Sequence, residues 1–426
     1  METLAGPELE ALQLQRLQET LERIRAAGVP CHGRMVEAGV SPGSIKTIDD
    51  VDKLPFCRKS DFRDNYPLGM LAVTLDKVVR LHASSGTTGS RTMVGYTAAD
   101  LDTWSELVAR FATAAGVVSS DVAQVAFTYG LFTGGFGLHY GLEKLGATVV
   151  PASGGNTELQ FSLMRDLGTS VLVATPTYAL HLSEVGRDHG FDFSSSRLRV
   201  GLFGAEPWSE GLRQRIERDM GISATDNYGL SEVVGPGVSG ECELKQGMHI
   251  AEDHFIAEVI DPASGKSLPE GEQGELVLTT LRREASPVVR FRTGDLTVIN
   301  REPCECGRRN ARMSKVLGRT DDMLIIRGVN VYPSQVEKAL LEVDGIEPHY
   351  LIVVNRYGEL DSLELWVEVS EGLFSDDTRV MRSFAERVEA HLKSVLNVRA
   401  EVSLRERNSL ERSAGKANRI LDRRNI

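Results

Sequence analysis

Ser84-Ser85-Gly86-Thr87-Thr88-Gly89-Ser90-Arg91-Thr92 is the stretch from which the rest of the chain is read; every residue in it except Arg91 is Ser, Thr or Gly. Glycine lets a backbone approach an anion closely and take positive φ. Backbone N–H groups and hydroxyls can then donate to phosphate oxygens. The loop follows an apolar, strand-prone run from Val78 to Leu81. It lacks the Lys that a GxxxxGK[ST] loop carries after its last Gly. On composition alone a phosphate cradle and a flexible Ser/Gly linker are alternatives, and the surrounding chain decides between them.

Upstream, residues 8–27 pattern as an amphipathic helix, with Leu9, Leu12, Leu17, Leu21 and Ile24 near one face and Gly28 as its stop. Leu54 to Asp61 reads as a turn into a short helix, and 99–115 as a further helix. From Val122 to about Pro207, strand candidates (Val122–Phe127, Ala147–Pro151, Ser170–Ala174, Leu198–Phe203) alternate with helical stretches at 136–145, 157–167, 176–189 and 208–220. Such alternation predicts an α/β fold with a mainly parallel, doubly wound sheet, whose ligands bind at the carboxyl ends of the strands. After Tyr228 short strands separated by Gly, Pro and Asp suggest a β-rich subdomain over roughly 235–316.

From Met323 the order is strand (Met323–Ile326), helix (Pro333–Val343), strand (His349–Val354), strand (Leu363–Val369), helix (Asp376–Leu396), strand (Arg399–Leu404). That β-α-β-β-α-β order predicts a small α/β sandwich. Residues 1–320 and 321–426 are therefore expected to form a large and a small domain, jointed near Gly318–Asp322.

The 426 residues are 41% hydrophobic and 25% charged, ordinary for a globular protein with ample core. A net charge of −12 argues against general affinity for nucleic acid or an anionic membrane. The N-terminus is not basic and leads into a polar helix, so no signal peptide is expected, and no apolar run is long enough to span a bilayer. Five cysteines are too few for a disulfide scaffold and predict a reducing cytoplasm, with Cys31 and Cys57 as buried thiols.

Separated motifs then agree in order. The Ser84–Thr92 loop is followed by Asn227-Tyr228-Gly229-Leu230-Ser231-Glu232, Arg292-Thr293-Gly294-Asp295, Gly318-Arg319-Thr320-Asp321-Asp322 and Gly415-Lys416-Ala417-Asn418. This set resembles the adenylate-forming superfamily of acyl-CoA synthetases, peptide-synthetase adenylation domains and luciferases. Tyr129–Gly135, Ser153–Thr157 and Asp321–Glu337 resemble more finely the phenylacetate-CoA ligase type of aryl-CoA ligase. The chain departs from the family in its loop, where Ser90-Arg91 replaces the usual Lys-Pro.

The resemblance implies a two-step reaction. An aryl carboxylate attacks the α-phosphate of ATP to give an acyl-adenylate and pyrophosphate, and the thiol of coenzyme A then displaces AMP. It implies that Ser84, Ser85, Gly86, Thr87, Thr88, Gly89 and Arg91 hold phosphates and that Glu232 helps hold Mg²⁺. Tyr228 would stack on adenine, within the nucleotide-contacting run Asp226, Asn227, Gly229 and Ser231, with Gly204, Ala205, Glu206 and Pro207 on the opposite face. Asp295 would bind the ribose hydroxyls, Arg319 would make a second ribose or phosphate contact, and Lys416 would bridge the attacking carboxylate and the α-phosphate. Asp321 matches the hinge of a rotating C-terminal domain, and Arg327 and Gly328 the loop bordering the pantetheine tunnel. By position, Tyr129, Phe132, Gly134, Gly135, Phe136, Phe203 and Pro236 are candidates for the acyl pocket, with core packing as the alternative for some.

Cys242, His249, Cys304 and Cys306 supply three thiols and an imidazole, the donor set of a closed structural zinc site. On spacing alone His249 could equally be a packing residue; the phenylacetate-ligase branch looks similar here and implies Zn²⁺. Dimers are common in that branch, which implies a homodimer. Two other readings share these motifs: loading of a carrier-protein phosphopantetheine, and a degenerate nucleotide-binding relative. The altered loop favours the latter, while Glu232, Asp295, Arg319 and Lys416 oppose it. The motifs leave phenylacetate, benzoate, anthranilate and cinnamate types of acid open.

Overall fold

The computed structural model describes residues 2–84, 91–327, 329–357, 360–370, 373–374, 377–412 and 419–424. The chain divides into two compact units. The first comprises residues 1–174, 192–205 and 222–315, the second 175–191, 206–221 and 316–426.

The first unit carries helices α1 (Pro7–Ala27), α2 (Pro30–Glu37), α3 (Lys59–Asp64), α4 (Ala98–Ala114), α5 (Thr133–Leu145) and α6 (Thr157–Leu167). Its strands are β1 (Arg80–Ala83), β2 (Met93–Tyr96), β3 (Val122–Val125), β4 (Thr148–Val150), β5 (Val171–Ala174), β6 (Val200–Gly204), β7 (Ser223–Leu230), β8 (Gly235–Glu241), β9 (Met248–Ile250), β10 (Phe255–Ile260), β11 (Gly274–Thr280), β12 (Phe291–Thr297), β13 (Ile299–Asn300) and β14 (Arg312–Met313).

Helix α1 starts at a Pro in its first turn beside Glu8 and Glu10 and stops at Gly28 in the left-handed region, as acidic starts and glycine stops require. It buries Leu9, Leu17, Leu21 and Ile24. Thr97 caps α4 by accepting from the Asp100 N–H, while Asp100 accepts from the Thr97 N–H in return.

One nine-stranded sheet runs in the order β13-β14-β9-β8-β7-β6-β5-β3-β4. Its strands β4, β3, β5, β6 and β7 are parallel. The parallel sheet expected from 122–207 is thus present. Strands β5 and β6 are buried throughout, as the interior of such a sheet demands. The β-rich stretch divides between two sheets. Strands β8, β9, β13 and β14 extend the large sheet in antiparallel fashion, while β10, β11 and β12 form an antiparallel group of their own. Strands β1 and β2 pair as a separate hairpin flanking the Ser/Thr/Gly loop.

The second unit contains α7 (Pro176–Asp188), α8 (Glu210–Met220), β15 (Gly318–Arg319), β16 (Leu324–Ile326), β17 (Val329–Val331), α9 (Pro333–Leu341), β18 (Ile346–Tyr357), β19 (Leu360–Val369), α10 (Thr378–Leu396), β20 (Ala400–Arg405) and β21 (Ile420–Asp422). Its sheet has the order β20-β19-β18-β21. Val336, Leu340, Phe384, Val388 and Leu392 of the two helices pack on Ile352, Val354, Leu363 and Leu365. The strand expected at Met323–Ile326 does not enter this sheet. It folds back on β17 as a two-stranded ribbon, because the chain turns at Arg327 with φ 50°. Strand β21 lies parallel to β18 at that edge instead. Among the described residues no helix is long and apolar enough to cross a membrane.

Candidate active site

The two ends of the Ser84–Thr92 loop meet at the mouth of the β1–β2 hairpin: the Ser84 N–H donates to the Thr92 carbonyl at 3.0 Å. The two hydroxyls are 2.5 Å apart, and Thr92 Oγ1 donates onward to Glu232 Oε1 at 3.0 Å. Glu232, just past β7, is 4% exposed. A buried carboxylate needs donors or a cation, and this one has both, because Lys59 Nζ lies 3.5 Å from the same oxygen. Carboxylate, hydroxyls and ammonium thus converge where Ser84 and Thr92 meet. Ser85, Gly86, Thr87, Thr88 and Gly89 lie outside the described residues, and Arg91 is exposed. Ser231, next to Glu232, shares a 3.1 Å hydrogen bond with Thr133.

On the other side of β7, Tyr228 donates its hydroxyl to Asp295 Oδ2 at 2.6 Å. Gly294, at φ 77°, turns β12 so that the Asp295 N–H reaches Thr293 Oγ1 at 3.0 Å. Two residues assigned to adenine and ribose are therefore in direct contact. Asn227 Nδ2 donates to the Phe203 carbonyl at 2.6 Å, and the Asp226 N–H donates to Glu241 at 2.8 Å. Gly229 is required sterically: a Cβ there would lie 1.8 Å from the Gly235 carbonyl oxygen. At the end of β6, Gly204 is pressed against Asn227, and Ala205 just beyond sits exposed at φ 71°.

Among the acyl-pocket candidates, Tyr129 and Phe136 meet edge to face at 5.3 Å. The Tyr129 hydroxyl and His139 Nδ1 are 3.1 Å apart. Gly134 and Gly135 start α5 against Phe127 and the Thr128 carbonyl, Phe132 is exposed, and the Pro236 carbonyl accepts from Trp104 Nε1 at 2.7 Å. Phe203 is wholly buried with its ring over Gly201.

Sequence reading missed the aromatic nest behind Phe136. His82 meets Tyr96, Trp104 and Phe136 edge on at 5.4, 5.7 and 5.8 Å, and its Nδ1 bonds the Leu131 carbonyl at 3.0 Å. Burial lowers the His82 pKa, which keeps the ring neutral, and pushes the Tyr96 hydroxyl up to about 12. Reading also missed Lys59, which sits beside Arg58 in a turn-to-helix segment far from Glu232 in sequence.

The second unit holds the remaining candidates. Arg319 donates to both carboxylate oxygens of Asp321, at 2.8 and 3.0 Å, so the residues expected as nucleotide contact and as hinge are paired. Glu206 accepts the Thr177 N–H at 2.8 Å, Pro207 is exposed, and Arg327 donates to the Asp361 carbonyl at 3.0 Å. Gly328 and Lys416 lie outside the described residues. The segments on either side of the Lys416 loop are anchored. Arg412 forks onto buried Glu368 at 2.9 and 2.7 Å, and Arg419 pairs with buried Glu337.

Away from these groups, the ligand atoms of Cys242, His249, Cys304 and Cys306 all lie within 4.8 Å of one another. Cys242 and Cys304 Sγ are 4.0 Å apart, and Cys306 Sγ is 3.4 Å from His249 Nε2. The three cysteines and the histidine come from just past β8, from β9 and from the loop before β14. Burial, with Arg308 and Arg312 nearby, depresses the His249 pKa to about 4, so its ring is neutral and able to ligate.

The profile of the family described as AMP-binding enzyme matches residues 27–280, and that of the AMP-binding enzyme C-terminal domain matches residues 328–424. A phenylacetate-coenzyme A ligase of Thermus thermophilus is 47% identical over 100% of this chain and 98% of its own. One from Escherichia coli is 48% identical over 100% and 97%. A solved 2-hydroxyisobutyryl-CoA ligase, in the postadenylation state, is 29% identical with a TM-score of 0.92, covering 99% of this chain and 90% of that one.

Proposed function

This chain belongs to the AMP-binding enzyme family, and from that premise we propose that it is an AMP-forming aryl-CoA ligase. It activates an aromatic carboxylate with ATP and passes the acyl group to the thiol of coenzyme A. The observation that carries the reading is the convergence of Glu232, Thr92 and Lys59 at the base of the loop, in a chain that matches phenylacetate-coenzyme A ligases over its full length. Phenylacetate-type acids are the proposed substrates, supported by those relatives and by the Tyr129–Phe136 ring pair.

In the first step a carboxylate oxygen attacks the α-phosphorus and pyrophosphate leaves. Such a reaction needs alignment and charge neutralisation more than covalent help. Glu232 and the Thr92 hydroxyl offer oxygen donors that would hold Mg²⁺, which would supply charge neutralisation to the phosphates when bound. Lys59 supplies a second positive charge to the phosphates, a role the loop itself leaves to Arg91. Asp295, already holding the Tyr228 hydroxyl, accepts from the ribose. Lys416 stabilises the charge that grows between carboxylate and α-phosphate, a role that rests on its motif.

We assign the Cys242, His249, Cys304 and Cys306 cluster to a structural Zn²⁺. Tetrahedral bonds of about 2.3 Å to sulfur and 2.0–2.1 Å to nitrogen place neighbouring ligand atoms roughly 3.5–3.8 Å apart. The 4.0 Å sulfur–sulfur and 3.4 Å sulfur–nitrogen separations fit that spacing, and the former is far from a disulfide. Four protein ligands leave no open position, so the ion would tie loops together.

The test is pyrophosphate release with ATP, Mg²⁺ and a panel of aryl acids, with and without CoA, with the product identified by mass spectrometry and Lys416→Ala run alongside. An acyl-CoA product and a loss of about 10²–10³ in the variant are expected. An adenylate that never reaches CoA would move the acceptor to a carrier protein, and absence of release with every acid would overturn the reading.

A further inference from the structure

Lys59 sits on a helix of six residues at the rim of the first unit, 37% exposed along its side chain. A long, exposed lysine is free to wander, yet it faces one oxygen of Glu232. The segment that carries it is fastened at both ends. On one side the Cys57 N–H donates to the Val289 and Arg290 carbonyls, both at 3.2 Å, and the Arg292 N–H donates to the Cys57 carbonyl at 2.9 Å. This ties Cys57 to the start of β12, the strand that carries Asp295. On the other side, Arg34 of α2 forks onto Asp61, with one nitrogen on each carboxylate oxygen at 2.8 Å. The same Asp61 accepts the Arg58 N–H at 2.8 Å, closing the first turn of α3. Arg34 also reaches back to Cys57 Sγ at 3.5 Å, so one guanidinium touches both ends of the five-residue segment.

We propose that Arg34 and Asp61 are positioning residues for the adenylation step: their planar fork sets the rotation of α3 and so aims Lys59 at the phosphate-binding corner beside Glu232. The inference rests on the ligase reading given above. Packing also holds α3 to the unit, since Phe62 is buried edge on against Phe291 at 6.2 Å. An apolar contact of that kind tolerates rotation; a bidentate guanidinium–carboxylate pair does not. A displacement of about 1 Å at a positioning group can cost on the order of 10² in rate.

The test is a double-mutant cycle on pyrophosphate release, with kcat and KM for ATP measured in Arg34→Met, Lys59→Met and the double variant. Arg34→Met is expected to lower kcat/KM for ATP by roughly tenfold or more and to cost nothing further once Lys59 is already Met. Arg34→Lys should not rescue, because a point charge cannot make the fork. Equal losses in both backgrounds would show a merely structural role and overturn the proposal, as would a wild-type rate in Arg34→Met. Should Arg34→Met fail to fold, Asp61→Asn, which keeps the shape and removes half the fork, takes its place in the same cycle. If the wild-type protein releases no pyrophosphate with any acid, the ligase reading fails on its own. The clamp is then judged by the same cycle read as Mg·ATP affinity in calorimetry, where non-additivity supports it and additivity overturns it.

Discussion

Replacing Lys59 by Met removes one positive charge 3.5 Å from Glu232 Oε1 while keeping most of the aliphatic stem. At that separation, with an effective dielectric near ~20, two unit charges attract by about 5 kcal/mol. More than a third of the lysine side chain is exposed, at 37%. Solvent screening and side-chain entropy therefore leave the resting pair worth ~1 kcal/mol or less, and the melting temperature should hardly move. The effect on turnover should be far larger, because charge on the departing pyrophosphate grows in the transition state. Loss of one preorganised contact of that kind costs about 10²–10³ in rate, or ~2.7–4 kcal/mol. The assay is steady-state pyrophosphate release with ATP varied at saturating acid, repeated over a range of Mg²⁺. A fall of about 10² in kcat/KM for ATP is expected. The Mg²⁺ requirement should stay the same or ease, since a competing cation has left Glu232. A rate within about threefold of wild type would refute a phosphate role. Recovery by added Mg²⁺ would show instead that Lys59 only organises the carboxylate.

Four further outcomes follow from the same structure. Asp295→Asn keeps the shape but removes the charged acceptor of the Tyr228 hydroxyl, and should raise KM for ATP by roughly tenfold as a charge-assisted bond is lost. Cys304→Ser should remove close to one equivalent of zinc, read by elemental analysis, and lower the melting temperature by roughly 5 °C or more; unchanged metal content would sink the zinc assignment. Gly137→Ala would put a Cβ 2.3 Å from the Trp104 ring, an overpacking worth about 1–3 kcal/mol and visible in a urea melt. Burial alone would raise the Asp253 pKa, but His254 and Arg110 outweigh it and hold the carboxyl below its ordinary range. Its contribution to stability is therefore fully present above the unfolded value near ~4 and is lost progressively as pH falls below that toward the lower folded value. Arg110→Met should narrow that gap, so its stability deficit against wild type should shrink between about pH 5 and pH 2.

Much of the candidate nucleotide side could be picked out in the sequence because its signals are local. The Ser/Thr/Gly loop, the Tyr228–Glu232 run and the Thr293-Gly294-Asp295 turn are each short enough for residue type and order to suggest a chemistry. The alternation from Val122 to Pro207 likewise announces the parallel sheet. Legibility fails where a residue's meaning depends on a partner far along the chain. Lys59 looks like any helix-start lysine until β7 brings Glu232 to it. His82, Tyr96 and Trp104 look like ordinary core until the hairpin and α4 close around Phe136. The strand at Leu324–Ile326 has the right composition for the small sheet, yet the turn at Arg327 folds it onto β17, and β21 takes the edge.

The sequence by itself determined the elements, their order and the donor inventory: a loop of hydroxyls and glycines, an ordered set of carboxylates and cations, three thiols and an imidazole. Those are properties of residue type and spacing, and they survive without coordinates. Only the tertiary structure decided which of them meet. Cys242 and Cys304 come within 4.0 Å, Tyr228 reaches Asp295, and one guanidinium grips both ends of the segment bearing Lys59. The physical reason is that electrostatic and hydrogen-bond energies fall off within a few ångströms, whereas these partners are separated by tens to hundreds of residues. Their convergence is set by how the sheets and helices bury their apolar faces.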